Sequence, residues 1–192
     1  MKDRQPKHRQ AARERARLDR WAASRAGLPT ALIVCEGRCT EPYYLGGLLE
    51  HLWVNAANAH IQTGSYKTDA LSLVRDARAR FRSTREYDHV FVVLDGDQAH
   101  LDEARREAGK GMAKAGGGRV TVELIVTSPC FEYWLLLHFE YTTRGLRSVE
   151  AVRALEAHLT DYEKGDREIF AKVSGGLAMA EANAARGIRD IA

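Results

Sequence analysis

The sequence predicts an α/β fold with a mostly parallel central sheet flanked by helices. Three observations lead there. Short apolar runs bounded by turn residues, above all TALIVC (30–35) and HVFVVL (89–94), have the length and branched content of strands buried on both faces. Longer segments between them carry apolar residues at helical spacing. The two kinds of segment alternate along 192 residues, about one domain's length, and such alternation favours parallel pairing.

The elements follow in order. Residues 8–26 interleave Arg and Glu with Ala and Leu, a helix-forming composition that Gly27 and Pro29 end. Residues 1–27 hold nine basic and three acidic side chains, a net +6, which leaves −3 for the rest. A basic N-terminal helical arm (1–27) on a mildly acidic domain (28–192) is therefore expected. It reads either as a nucleic-acid contact or as a solvated helix. After the strand at 30–35, Glu36-Gly37 forms a break. Thr40 is the expected N-cap, with Glu41 and Pro42 in the first turn of a helix reaching about Ala57.

Residues 59–63 form a weak second strand. Thr68 or Asp69 caps a helix whose apolar positions are Leu71, Val74, Ala77 and Phe81. The strand at 89–94 ends at Asp95-Gly96-Asp97. A helix is expected over 99–113, a mobile Gly-rich loop over 110–118, and a strand over 119–126. Ser128-Pro129 opens an apolar helix, PCFEYWLLLHFE. An amphipathic helix at 148–159, a polar turn at 161–166 and a last helix at 177–189 complete the chain.

Composition excludes several classes. No run approaches the ~20 apolar residues needed to span a bilayer. The charged N-terminus lacks the apolar core of a secretory leader. Cys35, Cys39 and Cys130 are odd in number and form no C-x-x-C pair, so they read as reduced, small apolar residues of a cytoplasmic protein rather than as zinc ligands.

The chemistry concentrates where strands end. In parallel sheets, ligands bind beyond the carboxyl ends of the strands. Glu36 follows the first strand, and Asp95 and Asp97 follow the third. Alternation along an extended segment puts both aspartates of D-x-D on one side. Three carboxylates brought together repel unless a cation lies between them. Mg2+ (or Mn2+) suits such ligands and commonly bridges to substrate phosphates. Gly37 and Gly96 leave room for close backbone approach.

Glu132, in the first turn of the apolar helix, reads as a fourth acid beside the metal or as an acid favoured by the helix dipole. Ser128 is a candidate phosphate contact. Lys164 reads as a phosphate contact or as a solvated lysine. His100 and Trp134 read as surface and core residues, and one of Tyr43 and Tyr44 packs inward.

LIVCEGRCTEPYY (32–44), VVLDGD (92–97) and SPCFEYWLLLHFE (128–140) together resemble the RloB-like family. Tyr162-x-Lys164 and the Ala-rich last helix with Asn183 fit it more loosely, and Ser128 stands where many members have Asn. The resemblance covers residues 30 to about 187. It implies a TOPRIM-like (Rossmann-like) fold, with Glu36, Asp95 and Asp97 as the metal-binding acids. It also implies an anti-phage, abortive-infection effector working beside a partner ATPase. The leading expectation is a Mg2+-dependent nuclease acting on DNA or RNA. The alternative is a non-cleaving sensor or adaptor that holds metal, nucleotide or nucleic acid. A third option is another phosphoryl reaction, such as strand rejoining or polymerisation.

Overall fold

In the computed structural model, which describes residues 29–64 and 69–191, the apolar runs become one sheet. Strands β1 (Ala31–Cys35), β2 (Ala59–Thr63), β3 (His89–Asp95) and β6 (Val122–Thr127) lie in the order β2-β1-β3-β6, all parallel. This is a Rossmann-like arrangement. Its inner strands lack alternation because both faces are covered. Leu32, Val34, Val90, Val92 and Leu94 enter one core, while Ile33, Cys35 and Val93 enter the other.

Two helices cover the first face. Helix α2 (Ala70–Thr84) contributes Leu73, Val74, Ala77 and Phe81, and α3 (Leu101–Ala108) contributes Ala104 and Ala108. The second face is covered by α1 (Thr40–His51), α4 (Phe131–Leu136), α5 (Ser148–His158) and α6 (Ile169–Val173). Helix α7 (Leu177–Ile191) follows a 3-10 turn at Ser174–Gly176 and packs on α4. Tyr44 is the aromatic that packs inward. Its hydroxyl lies 3.0 Å from His138 Nε2, and His138 Nδ1 donates to the Val173 carbonyl at 2.8 Å. That tautomer leaves Nε2 to accept from Tyr44, so α1, the turn after α4 and the end of α6 are tied by satisfied buried polar groups. Burial also holds the His138 pKa below its ordinary value.

Several expected boundaries move. Cys39, not Thr40, is the N-cap of α1, and Thr40 Oγ1 instead accepts the Gly165 N–H at 3.2 Å. That bond docks the 161–166 turn against α1. Helix α1 stops at His51, where Trp53 takes a left-handed conformation (φ 57°) and the chain turns toward β2. The helix expected over 99–113 ends at Ala108, because Gly109 and Gly111 break it. The expected 110–118 loop is instead largely a hairpin in which β4 (Met112–Ala113) pairs antiparallel with β5 (Arg119–Val120). Helix α6 is an element the pattern did not call. Asp69 caps α2, with Oδ1 accepting the Ser72 N–H at 3.0 Å. All three cysteines are free, with Cys35 and Cys130 buried. The basic arm over 1–27 lies outside the described residues. Among the described residues, no helix is long and apolar enough to cross a membrane.

Candidate active site

Register sets the site. Cys35 is opposite Val93 and Asp95 is opposite Thr127, so β1, β3 and β6 end at one edge. Glu36 leaves β1 there and reaches across to β3. Its Oε2 accepts the Asp95 backbone N–H at 3.0 Å, and its Oε1 accepts Gln98 Nε2 at 2.6 Å. Asp95 is the last residue of β3, and its Oδ1 accepts the Thr127 hydroxyl at 3.2 Å. Asp97, two residues on and exposed, accepts the Ser148 hydroxyl at 3.1 Å. Glu132 is held in the first turn of α4 and is 4% exposed. Its Oε1 accepts the Tyr162 hydroxyl at 3.0 Å and lies 3.8 Å from Lys164 Nζ.

A fifth acid joins these. Glu41, in the first turn of α1, is 7% exposed. Its carboxylate lies so close to Gly37 that a Cβ there would meet Oε2 at 1.9 Å. Gly37 is therefore the residue that lets the turn after β1 close over Glu41. The sequence carried the signal, since Glu41 stands in the same C-E-G-x-x-T-E-P run as Glu36. It reads there as an ordinary first-turn acid favoured by the dipole. Gln98, Thr127, Ser148 and Tyr162 also hold the acids. They come from four separate segments, so spacing along the chain does not betray them.

The electrostatics are those of crowded like charge. Burial, then Glu36 and Glu41, push the Asp95 carboxyl up to about 7. The Glu36 and Glu41 pKa values are also raised, in each case chiefly by burial, with neighbouring carboxylates adding to it. Lys164 acts in the opposite sense on both. Asp95, Asp97, Gln98, Glu132, Tyr162 and Lys164 line a cavity of about 470 Å³. Glu36 is linked to that cavity through Asp95 and Gln98. Ser128 is exposed, lies against Gly96, and lines a different cavity of about 610 Å³ between β6, α4 and α7. His100 is an exposed residue at the start of α3, and Trp134 packs in the second core.

The donor chemistry fits a hard divalent cation. The ligands on offer are carboxylate oxygens, and a cation would offset the burial and the repulsion that raise Asp95. Among the described residues, however, no three His, Cys, Asp or Glu side chains are grouped so as to hold a metal. The acids are brought to one edge, and protein donors take up part of their hydrogen-bonding capacity.

One protein-family model, described as RloB-like protein, matches residues 31–190. No curated protein and no solved structure matches the chain.

Proposed function

The chain belongs to the RloB-like family, and we propose that it is a Mg2+-dependent TOPRIM-type nuclease that hydrolyses nucleic-acid phosphodiesters. The observation that carries this reading is the crowding of Glu36, Glu41, Asp95 and Glu132 at the carboxyl edge of a parallel sheet, with Asp95 pushed up to about 7. Acids kept for structure are ordinarily paired with cations. A cluster left at odds with its own charge, in a cleft, is the usual mark of a functional site.

In this reading Asp95 and Asp97 hold the metal and Glu132 supports them. A cation held there would supply positive charge against a phosphoryl oxygen and lower the pKa of a water, whose proton a base must take before its oxygen attacks phosphorus. Glu36 is the proton acceptor. Its carboxylate is fixed by the Asp95 N–H and Gln98, and its raised pKa brings it closer to neutrality, where a general base works best. Lys164, with 82% of its side chain exposed, meets a substrate phosphate from the open side. The basic arm adds salt-sensitive affinity. The role proposed for the chain in the cell is that of an anti-phage effector whose activity a partner ATPase controls.

One observation favours a second reading, a non-cleaving sensor or adaptor. Glu36, Asp95, Asp97 and Glu132 each accept a hydrogen bond from a protein donor, and Lys164 already faces Glu132. Such a site can hold a cation or nucleotide as part of a binding surface.

The deciding experiment measures cleavage of labelled single- and double-stranded DNA and RNA with Mg2+ or Mn2+, with and without a candidate partner ATPase. Thermal melts with and without Mg2+ run beside it. The nuclease reading expects metal-dependent cleavage that disappears in Asp95→Ala and Glu36→Ala. It also expects Mg2+ at ten times its Kd to add about 1.4 kcal/mol of stability to the wild type only. Metal stabilisation without cleavage on any substrate transfers the site to the sensor reading. Neither cleavage nor metal stabilisation removes the metal from both.

A further inference from the structure

The opposite edge of the sheet is charged the other way. Arg75, Arg78 and Arg82 of α2, with Arg85 just past its end, stand at intervals of three, four and three, so they share one helix face. From first to last they span about 15 Å. The β4–β5 hairpin faces this row and adds Arg119 and Lys114, with Lys110 just ahead of it. Arg78, Arg82, Arg85, Gly111, Met112 and Ala113 line a cavity of about 420 Å³ between helix and hairpin.

Some of this charge is spent on structure. Arg78 is buried, its Nε lies 3.0 Å from Glu107, and its Nη1 donates to the Lys110 carbonyl. Lys110 also pairs with Glu107, and Lys114 pairs with Asp88. Of the remaining guanidinium groups, Arg75 acts on the Glu107 carboxylate from a distance, while Arg82, Arg85 and Arg119 form no ion pair among the described residues. Arg75 and Arg82 are exposed and make no ion pair there. Arg85 Nε donates to the Ala113 carbonyl at 3.1 Å, and Arg119 Nη2 donates to the Gly111 carbonyl at 3.0 Å. Those bonds aim two forks without neutralising them. The packing at Gly111 is tight, since a Cβ there would meet Arg119 Nε at 2.7 Å. Glu86, next to Arg85, forms no ion pair among the described residues and, with Glu107, opposes the cluster.

We propose that Arg75, Arg82, Arg85 and Arg119 form a second site that holds the phosphate backbone of a nucleic-acid strand, running along α2 from the amino edge of the sheet. The proposal extends the reading of the chain as a nucleic-acid enzyme to a region that reading does not use. Guanidinium forks match phosphate oxygens in pairs, and two of these four are held in place, Arg85 and Arg119. A row of arginines over about 15 Å suits a ligand with repeating negative charge better than a single anion. Strand β3, seven residues long, separates this edge from Asp95 by about 20 Å. That is about six base-pair steps of a duplex. A strand seated on the arginines and entering the acid cavity therefore crosses the α2–α3 face, and shorter ligands engage only one site.

The test is fluorescence anisotropy with the full chain in EDTA, so that binding is read without cleavage. The probes are labelled DNA and RNA of one sequence, single- and double-stranded, 4 and 20 units long, each at several salt concentrations. The variants are R82E/R85E/R119E and, as a milder change at an exposed residue that forms no ion pair among the described residues, R82Q. The triple variant is expected to bind the 20-unit probes at least tenfold more weakly, with a salt dependence shallower by about three units. R82Q loses about two- to threefold in affinity and about one unit of slope. The probe that suffers most names the preferred nucleic acid. Equal affinity and slope in R82Q and wild type overturn the proposal, as does a wild type that binds none of the probes. Intact arginine-dependent binding with no cleavage under any metal overturns the hydrolase reading alone.

Discussion

Two aspartates bracket the central strand β3, and their environments are opposite. Asp88 precedes the strand at the amino edge. Its carboxyl accepts from the Thr30 N–H at 2.9 Å and pairs with Lys114, and these partners pull its pKa down to about 2. Asp95 ends the strand at the carboxyl edge, where burial and neighbouring carboxylates push its pKa up to about 7. The residue type is the same and the two are seven positions apart, so the difference lies in what the fold brings beside each. At the amino edge, Asp88 is answered by Lys114 and Glu107 by Arg78 and Lys110, pairs that help hold α2, α3, the hairpin and β3 together. At the carboxyl edge, the fold gathers acids against their mutual repulsion. The aspartate at one edge uses its charge for structure, and the aspartate at the other carries unfavourable charge that a ligand can relieve.

The largest effect expected from this contrast is on catalysis. Asp95→Ala is expected to lose metal-dependent cleavage by a factor on the order of 10³, the scale seen when a group acting on transition-state charge is removed. Asp88→Ala stays within about threefold under the same conditions. A comparable loss in both variants would erase the functional distinction between the edges.

Stability is expected to move the other way. Asp95 binds its proton more tightly in the folded chain than at its ordinary value of 3.8. Its contribution is therefore most favourable below pH 3.8 and is lost as pH rises through about 7. Asp95→Asn removes that penalty. In EDTA at pH 8 the variant is expected to be about 1–2 kcal/mol more stable than wild type, short of the full linkage value because the carboxyl is part-exposed. The gain fades on acidification and is gone by about pH 4. Denaturant midpoints across this range check it, and a gain independent of pH would assign the effect to packing instead of charge.

The contrast between the edges was only half legible in the sequence. Strand ends announce themselves, because an apolar run stops at a turn, so Glu36, Asp95 and Asp97 could be placed on one edge from spacing alone. Glu132 and Lys164 were found as candidates but could not be joined. Their meeting depends on the turn at 161–166 docking on Thr40, a contact between residues 125 positions apart. Glu41 was hidden by the ordinary appearance of an acid in a first helical turn. The arginine face of α2 was masked by the apolar face used to recognise the helix. It gained meaning only when the segment read as a loop proved to be a hairpin lying against it. Local pattern marks most elements and the ends of the buried strands, whereas the partners that set a pKa come from whatever the topology lays alongside.

The smallest expected effect tests the amino edge by itself. Asp88 binds its proton less tightly in the folded chain than at 3.8, so its stabilising contribution is present above that pH and fades as pH falls through about 2. Asn at this position keeps an oxygen for the Thr30 N–H but loses the charge that faces Lys114. The carboxyl is partly exposed, and solvent screening keeps the contribution small. Asp88→Asn is expected to cost about 0.5–1 kcal/mol at pH 7, a Tm lower by about 2 °C, with no difference from wild type near pH 2. Added salt should shrink the difference at pH 7, because an accessible ion pair is screened. A loss that persists unchanged at pH 2 or in high salt would mean that Asp88 acts through hydrogen-bond geometry. The amino edge would then hold its acids by fit and not by charge.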